Sequence, residues 1–120
     1  MTPPLHALLA EDEDLVAMVL SEALRDDGFR VTVTYNGLEA LQADEKDPAD
    51  ILLTDMRMPV MDGNSLIELI RQRRPDLPIV VMTGYSASVP KEQPGRLVVV
   101  RKPYLLGTVI GVANTLLQAR

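Results

Sequence analysis

The chain has 120 residues, enough for one domain with a core of its own. With 47% hydrophobic and 24% charged residues it has a globular composition, and no apolar run approaches the ~18 residues of a membrane-spanning helix. The absence of cysteine and the single histidine, His6, exclude disulfide scaffolds, thiolate zinc sites, a Cys nucleophile and His-rich metal centres, and a net charge of −5 argues against a binder of nucleic-acid backbones.

Met1, Thr2, Pro3 and Pro4 lack the basic and long apolar regions of a signal peptide, so the reading is a cytoplasmic domain with no membrane segment. Residues 5–10 (LHALLA) form a short apolar strand that runs into Glu11, Asp12, Glu13 and Asp14. Leu15, Val16, Val19, Leu20, Ala23 and Leu24 recur at helical spacing and predict one buried helix face, closed at Asp27-Gly28. Residues 30–34 (RVTVT) alternate and are β-branched, which predicts a strand. Asn36-Gly37 opens a short helix through Leu38, Ala40 and Leu41, and Pro48-Ala49 breaks it.

Residues 50–54 (DILLT) are the pattern of a strand buried on both faces. Pro59 and Asp62-Gly63 mark a loop. Leu66, Ile67, Leu69 and Ile70 predict the next helix, with Arg71, Arg73 and Arg74 as a solvated end suited to the helix dipole. Residues 79–83 (IVVMT) and 97–100 (LVVV) are two further buried strands. Between them, residues 86–95 carry Pro90 and Pro94 and only Ala87 and Val89 as apolar contacts, so a short or irregular fourth helix is expected. From Leu105 a last helix carries Val109, Ile110, Val112, Ala113, Leu116 and Leu117.

Continuous apolar strands alternating with helices predict an α/β fold, a five-stranded parallel sheet wound doubly. Ligands of such sheets sit beyond the carboxyl ends of the strands. Those ends carry Glu11 and Asp12, then Asp55, Thr83, and Lys102. Each alone has an ordinary explanation: acidic residues cap helices, threonine favours strands, and Lys-Pro makes turns. Asp55 is harder to explain so, because it follows a run that reads as fully buried. Three carboxylates at one rim repel one another unless a cation joins them, and an all-oxygen set suits Mg²⁺. A carboxylate nucleophile beside a metal, a lysine and a hydroxyl is the apparatus of phosphoryl transfer to aspartate.

Four segments, LLAEDED, DILLTDMRMPVMDG, VVMTG and RKPY, stand in order at the predicted strand ends. Together they resemble the receiver domain of two-component response regulators over nearly the whole chain, and imply one domain over residues 1–120. The resemblance implies a flavodoxin-like sheet of order 2-1-3-4-5. It implies Asp55 as phosphoacceptor, and Mg²⁺ held by Glu11, Asp12, Asp55 and the main-chain carbonyl of Arg57. It implies Thr83 as the hydroxyl that closes on the phosphoryl group, Lys102 as its charge partner, and a cis peptide at Lys102-Pro103. Glu11 stands where Asp is commoner, and Val99 replaces the aromatic that many receivers carry three residues before the lysine. Tyr85 and Tyr104 are the aromatics nearby, and Thr83-Gly84-Tyr85 is similar to a stretch found in stand-alone receivers.

The implied partners are a histidine kinase or a histidine phosphotransfer protein, and a downstream protein, with no direct contact to nucleic acid. Leu15, Met18, Pro103 and Tyr104 are the expected apolar part of the docking surface. A haloacid-dehalogenase-like phosphatase would need an acid two residues past the nucleophile, where this chain has Arg57. A pseudo-receiver would not need the set Glu11, Asp12, Asp55, Thr83 and Lys102. His6 reads as a strand or surface histidine, and Met56, Met58 and Met61 as packing.

Overall fold

The computed structural model describes residues 3–84 and 89–119. Five strands, β1 (His6–Ala10), β2 (Arg30–Thr34), β3 (Ile51–Asp55), β4 (Ile79–Thr83) and β5 (Leu97–Arg101), alternate with helices α1 (Asp14–Asp26), α2 (Gly37–Lys46), α3 (Gly63–Arg73) and α4 (Leu106–Gln118). All strand pairs are parallel, in the order β2-β1-β3-β4-β5. The doubly wound, flavodoxin-like sheet expected from the sequence is therefore the fold. β3 begins one residue later than its apolar run suggested, so Asp55 closes the strand rather than following it.

The strand period of two divides the core. Ala7, Leu9, Ile51, Leu53, Val80 and Met82 face Leu20 and Leu24 of α1 and Val109, Ala113 and Leu116 of α4. Leu8, Ala10, Leu52, Ile79, Val81 and Leu97 face Ala40 of α2 and Leu66, Ile67 and Ile70 of α3. Central strands β1, β3 and β4 are buried at every residue, which is why their sequences read as unbroken apolar runs. Met56 is buried and Met58 and Met61 pack beside the α2 and α3 core.

Two local expectations change. The buried line of α1 is Ala17, Leu20, Ser21 and Leu24, whereas Leu15 is 68% exposed and Val19 lies at the surface. The sheet accepts only the middle of a wide apolar stripe, and Ser21 fits there because its hydroxyl donates to the Met18 carbonyl at 2.9 Å. The arginines closing α3 are not a solvated end. Arg74 donates to Asp44 at 2.5 Å and to the Ala49 carbonyl at 2.7 Å, while Arg73 reaches Asp44 at 3.4 Å. Arg71 donates to the Leu77 carbonyl at 2.6 Å and to the Gln93 side chain at 2.9 Å. Buried Asp44 also accepts the Ala49 amide, so the last turns of α2 and α3 are locked to the start of β3. His6 opens β1 on this same rim and is buried, with Nε2 2.7 Å from the Thr32 hydroxyl and Nδ1 3.2 Å from the Pro48 carbonyl.

The fourth crossover forms no helix over its described residues 89–96. Gln93 bridges Leu97 in antiparallel fashion, and the Glu92 carboxylate accepts the Val99 amide at 2.9 Å. Tyr85 and residues 86–88 lie outside the described residues.

Glycine weakens a helix interior, and Gly111 of α4 has nothing within 4 Å of where a Cβ would stand. Gly111→Ala should therefore raise stability by about 1 kcal/mol. Urea unfolding of the two proteins measures this; a variant no more stable than the parent would show that the site is not open.

Candidate functional site

The carboxyl ends of β1, β3, β4 and β5 deliver the chemistry to one rim. Backbone pairing carries β1 one residue on, as the Glu11 amide donates to the Thr34 carbonyl at 3.0 Å. Glu11 is thereby drawn under the surface, at 0% exposure. Its Oε2 accepts the Glu13 amide at 3.1 Å, but its buried Oε1 has no hydrogen-bond partner. Asp12 beside it is exposed. Asp55 is buried at the end of β3; Oδ1 accepts the Met56 amide at 2.7 Å and Oδ2 lies 3.4 Å from Lys102 Nζ. Glu11, Asp12 and Asp55 offer oxygens within 4.8 Å of one another.

Thr83 is buried at the end of β4, and its carbonyl accepts the Lys102 amide at 2.7 Å. The Lys102–Pro103 peptide is cis. A depression of ≈ 270 Å³ is lined by Asp12, Glu13, Asp55, Arg57, Thr83, Gly84 and Lys102. Glu11, Asp12, Asp55, Arg57, Thr83 and Lys102 thus meet at this rim. The sequence offered less on what shapes the loop after β3. Gly63 donates its amide to the Met56 carbonyl at 3.0 Å, and a Cβ there would stand 2.4 Å from the Asp55 carbonyl oxygen. Asp62-Gly63 signalled the turn but not this approach. At the loop's tip Val60 has φ 68°, a left-handed value unfavourable for a β-branched residue.

Burial pushes the Glu11 carboxyl up to about 7, and Asp55 and Asp12 add repulsion while the Glu13 amide and Lys102 oppose it. Burial works against the charge of Lys102, but Asp55 and Glu11 outweigh it and raise its pKa. Burial also raises the Tyr104 hydroxyl. An orphaned buried oxygen, clustered carboxylates and an exposed Asp12 fit a small hard divalent cation, which accepts one or two carboxylates and keeps waters.

The model of the response regulator receiver domain family matches residues 7–99. The receiver protein CpdR of Brucella abortus is 34% identical over 115 residues, covering 93% of this chain and 96% of its own. The DNA-binding transcriptional regulator NtrC of Escherichia coli K12 is 38% identical over 109 residues, but the chain spans only 23% of that protein's length. A receiver protein from Sinorhizobium medicae superposes with a TM-score of 0.84 at 28% identity, covering 97% of this chain and 96% of that one. The receiver domain of nitrogen regulatory protein C gives 0.80 at 28% identity, with 98% and 97% covered.

This chain belongs to the response regulator receiver domain family. It is a receiver of two-component signalling, a signalling module rather than a conventional enzyme. Such receivers typically bind Mg²⁺, and the acidic cluster here could hold one.

Glu11 makes the metal-free protein sensitive to pH. Its folded pKa of about 7 exceeds the ordinary 4.5, so its contribution to stability is full below pH 4.5 and is lost as pH rises through 7. Melting in EDTA should show a fall between pH 5 and pH 8 that is smaller in Glu11→Gln. An equal fall in both proteins would remove Glu11 as its source.

Proposed function

We propose that the chain, as one receiver domain over residues 1–120, accepts a phosphoryl group on Asp55. The donor is a phosphohistidine of a histidine kinase or histidine phosphotransfer protein. A carboxylate oxygen of Asp55 forms the new O–P bond as the P–N bond breaks, and the imidazole leaves with the electron pair of that bond. Lys102 neutralises charge on the phosphoryl oxygens and its anchored amide keeps β5 against the end of β4. The Thr83 hydroxyl donates to the phosphoryl group once it is in place. Glu11, Asp12, Asp55 and the Arg57 carbonyl would hold Mg²⁺, which supplies positive charge to the carboxylates and the incoming phosphate. The observation that carries this reading is the meeting of Asp55 with Lys102, 3.4 Å apart, inside a cluster of two further carboxylates.

The donor must approach in line with Asp55, so its docking surface flanks the rim. Exposed Leu15 and Met18 stand there, beside a groove of ≈ 310 Å³ lined by Leu15, Val16, Val19, Leu20, Tyr104 and Leu106, with exposed Pro103 adjoining. The phosphorylated receiver then passes a change of shape, or the phosphate itself, to a protein partner in the cytoplasm. The net charge of −5 gives no support to direct contact with nucleic acid.

Asp55→Asn keeps the shape of the side chain but removes the nucleophile, so acetyl phosphate should add a phosphoryl group to wild type and none to the variant. Intact-mass spectrometry reads this, and labelling of the variant would place the phosphoacceptor elsewhere. Mg²⁺ at about 100 times its Kd should stabilise the protein by about 2.7 kcal/mol relative to EDTA. Asp12→Ala should lose most of that gain in thermal melts; an undiminished shift would move the metal away from this cluster.

A further inference from the structure

The loop that follows Asp55 is held from outside the rim as well as from within it. Gly37, the first residue of α2, donates its amide to the Met61 carbonyl at 2.8 Å. A Cβ on Gly37 would lie 2.7 Å from that same oxygen and 2.9 Å from Met61 Cγ. The oxygen belongs to the main chain, so a side chain at position 37 forces the loop itself to move. Gly37 does not have a positive φ, and alanine is the better helix former. Local conformation therefore gives no reason for glycine here; the close approach does.

A second observation says that the loop needs holding. The Met61 amide donates to the Pro59 carbonyl at 2.7 Å, closing a three-residue turn around Val60. With φ at 68° this is the rare, strained sense of such a turn. Val60 is 76% exposed, so its own burial does not offset the strain. A strained backbone persists where its surroundings over-determine it. Here those surroundings are Gly63 against Asp55 at one end and Gly37 against Met61 at the other.

We propose that Gly37 is a positioning residue for phosphoryl acceptance: its missing side chain lets the start of α2 grip the strained loop and fix the Arg57 main chain at the rim. The consequence for phosphorylation rests on Asp55 being the phosphoacceptor; the grip itself does not.

Hydrogen exchange tests the grip without any ligand. The first amides of a helix ordinarily lack partners, so slow exchange at Gly37 in the wild-type protein is expected, and fast exchange would overturn the grip. Calorimetric Mg²⁺ titration and acetyl phosphate labelling, well below the melting temperature, test its consequence. In Gly37→Ala the Mg²⁺ Kd should rise, and the initial labelling rate fall, on the order of tenfold. Asn36→Ala removes the cap that accepts the Glu39 amide at 2.9 Å and adds nothing at position 37. It should show a smaller change in the same direction, and it decides the matter if Gly37→Ala does not fold. A purely structural role would lower the melting temperature and leave Kd and rate within twofold of wild type in both variants, which would overturn positioning. A wild-type protein with a protected Gly37 amide that neither binds Mg²⁺ nor is labelled would overturn the site assignment, and positioning with it, while leaving the grip.

Discussion

Three carboxylates held together at the edge of a protein interior repel one another, and this repulsion governs the rim of the sheet. Parallel winding brings them together, because the carboxyl ends of neighbouring β1 and β3, which carry the three acids, point one way. At Glu11 burial first, and then Asp55 and Asp12, disfavour the charge. Lys102 offsets part of it from 3.4 Å, and in return its own charge is favoured against burial. What remains is a standing demand for positive charge in a place lined with oxygen atoms. A metal and a phosphoryl group, as proposed here, would both answer to that demand, the metal directly and the phosphate through the charge the metal brings.

Much of this was legible in the sequence. The central strands were visible because both of their faces are buried, and the candidate site residues stood out because they fall at strand ends. The remainder depends on contacts between elements distant along the chain. The stripe of α1 was too wide to reveal which line the sheet would take; Leu15 and Leu20 look alike until the sheet is placed, and only Leu20 is buried. Arg73 and Arg74 find Asp44 on the neighbouring helix, 29 and 30 residues away in sequence. No local signal marks the left-handed turn at Val60, because valine is among the residues least suited to it. Asn36-Gly37 was read as a helix start, and the same pair also determines how near the next loop can come.

The two rims of the sheet are built differently. At the amino-terminal rim, Arg71, Arg73 and Arg74 tie α3 to α2, to the start of β3 and to the segment before β5. At the carboxyl-terminal rim, among the described residues, Glu11, Asp12 and Asp55 cluster with Lys102 as the cation 3.4 Å from Asp55. The candidate site therefore stands at the rim opposite these arginine ties.

The hydrogen bond from the Val99 amide to the Glu92 carboxylate has a consequence for life in a crowded cell. β5 borders the sheet, and a border strand with open amides is a template onto which another polypeptide can add. Here that amide is already occupied, by a group carrying negative charge, and Gln93 engages Leu97 two residues before it. Over residues 89–96 the irregular segment therefore occupies part of the border where another strand would add.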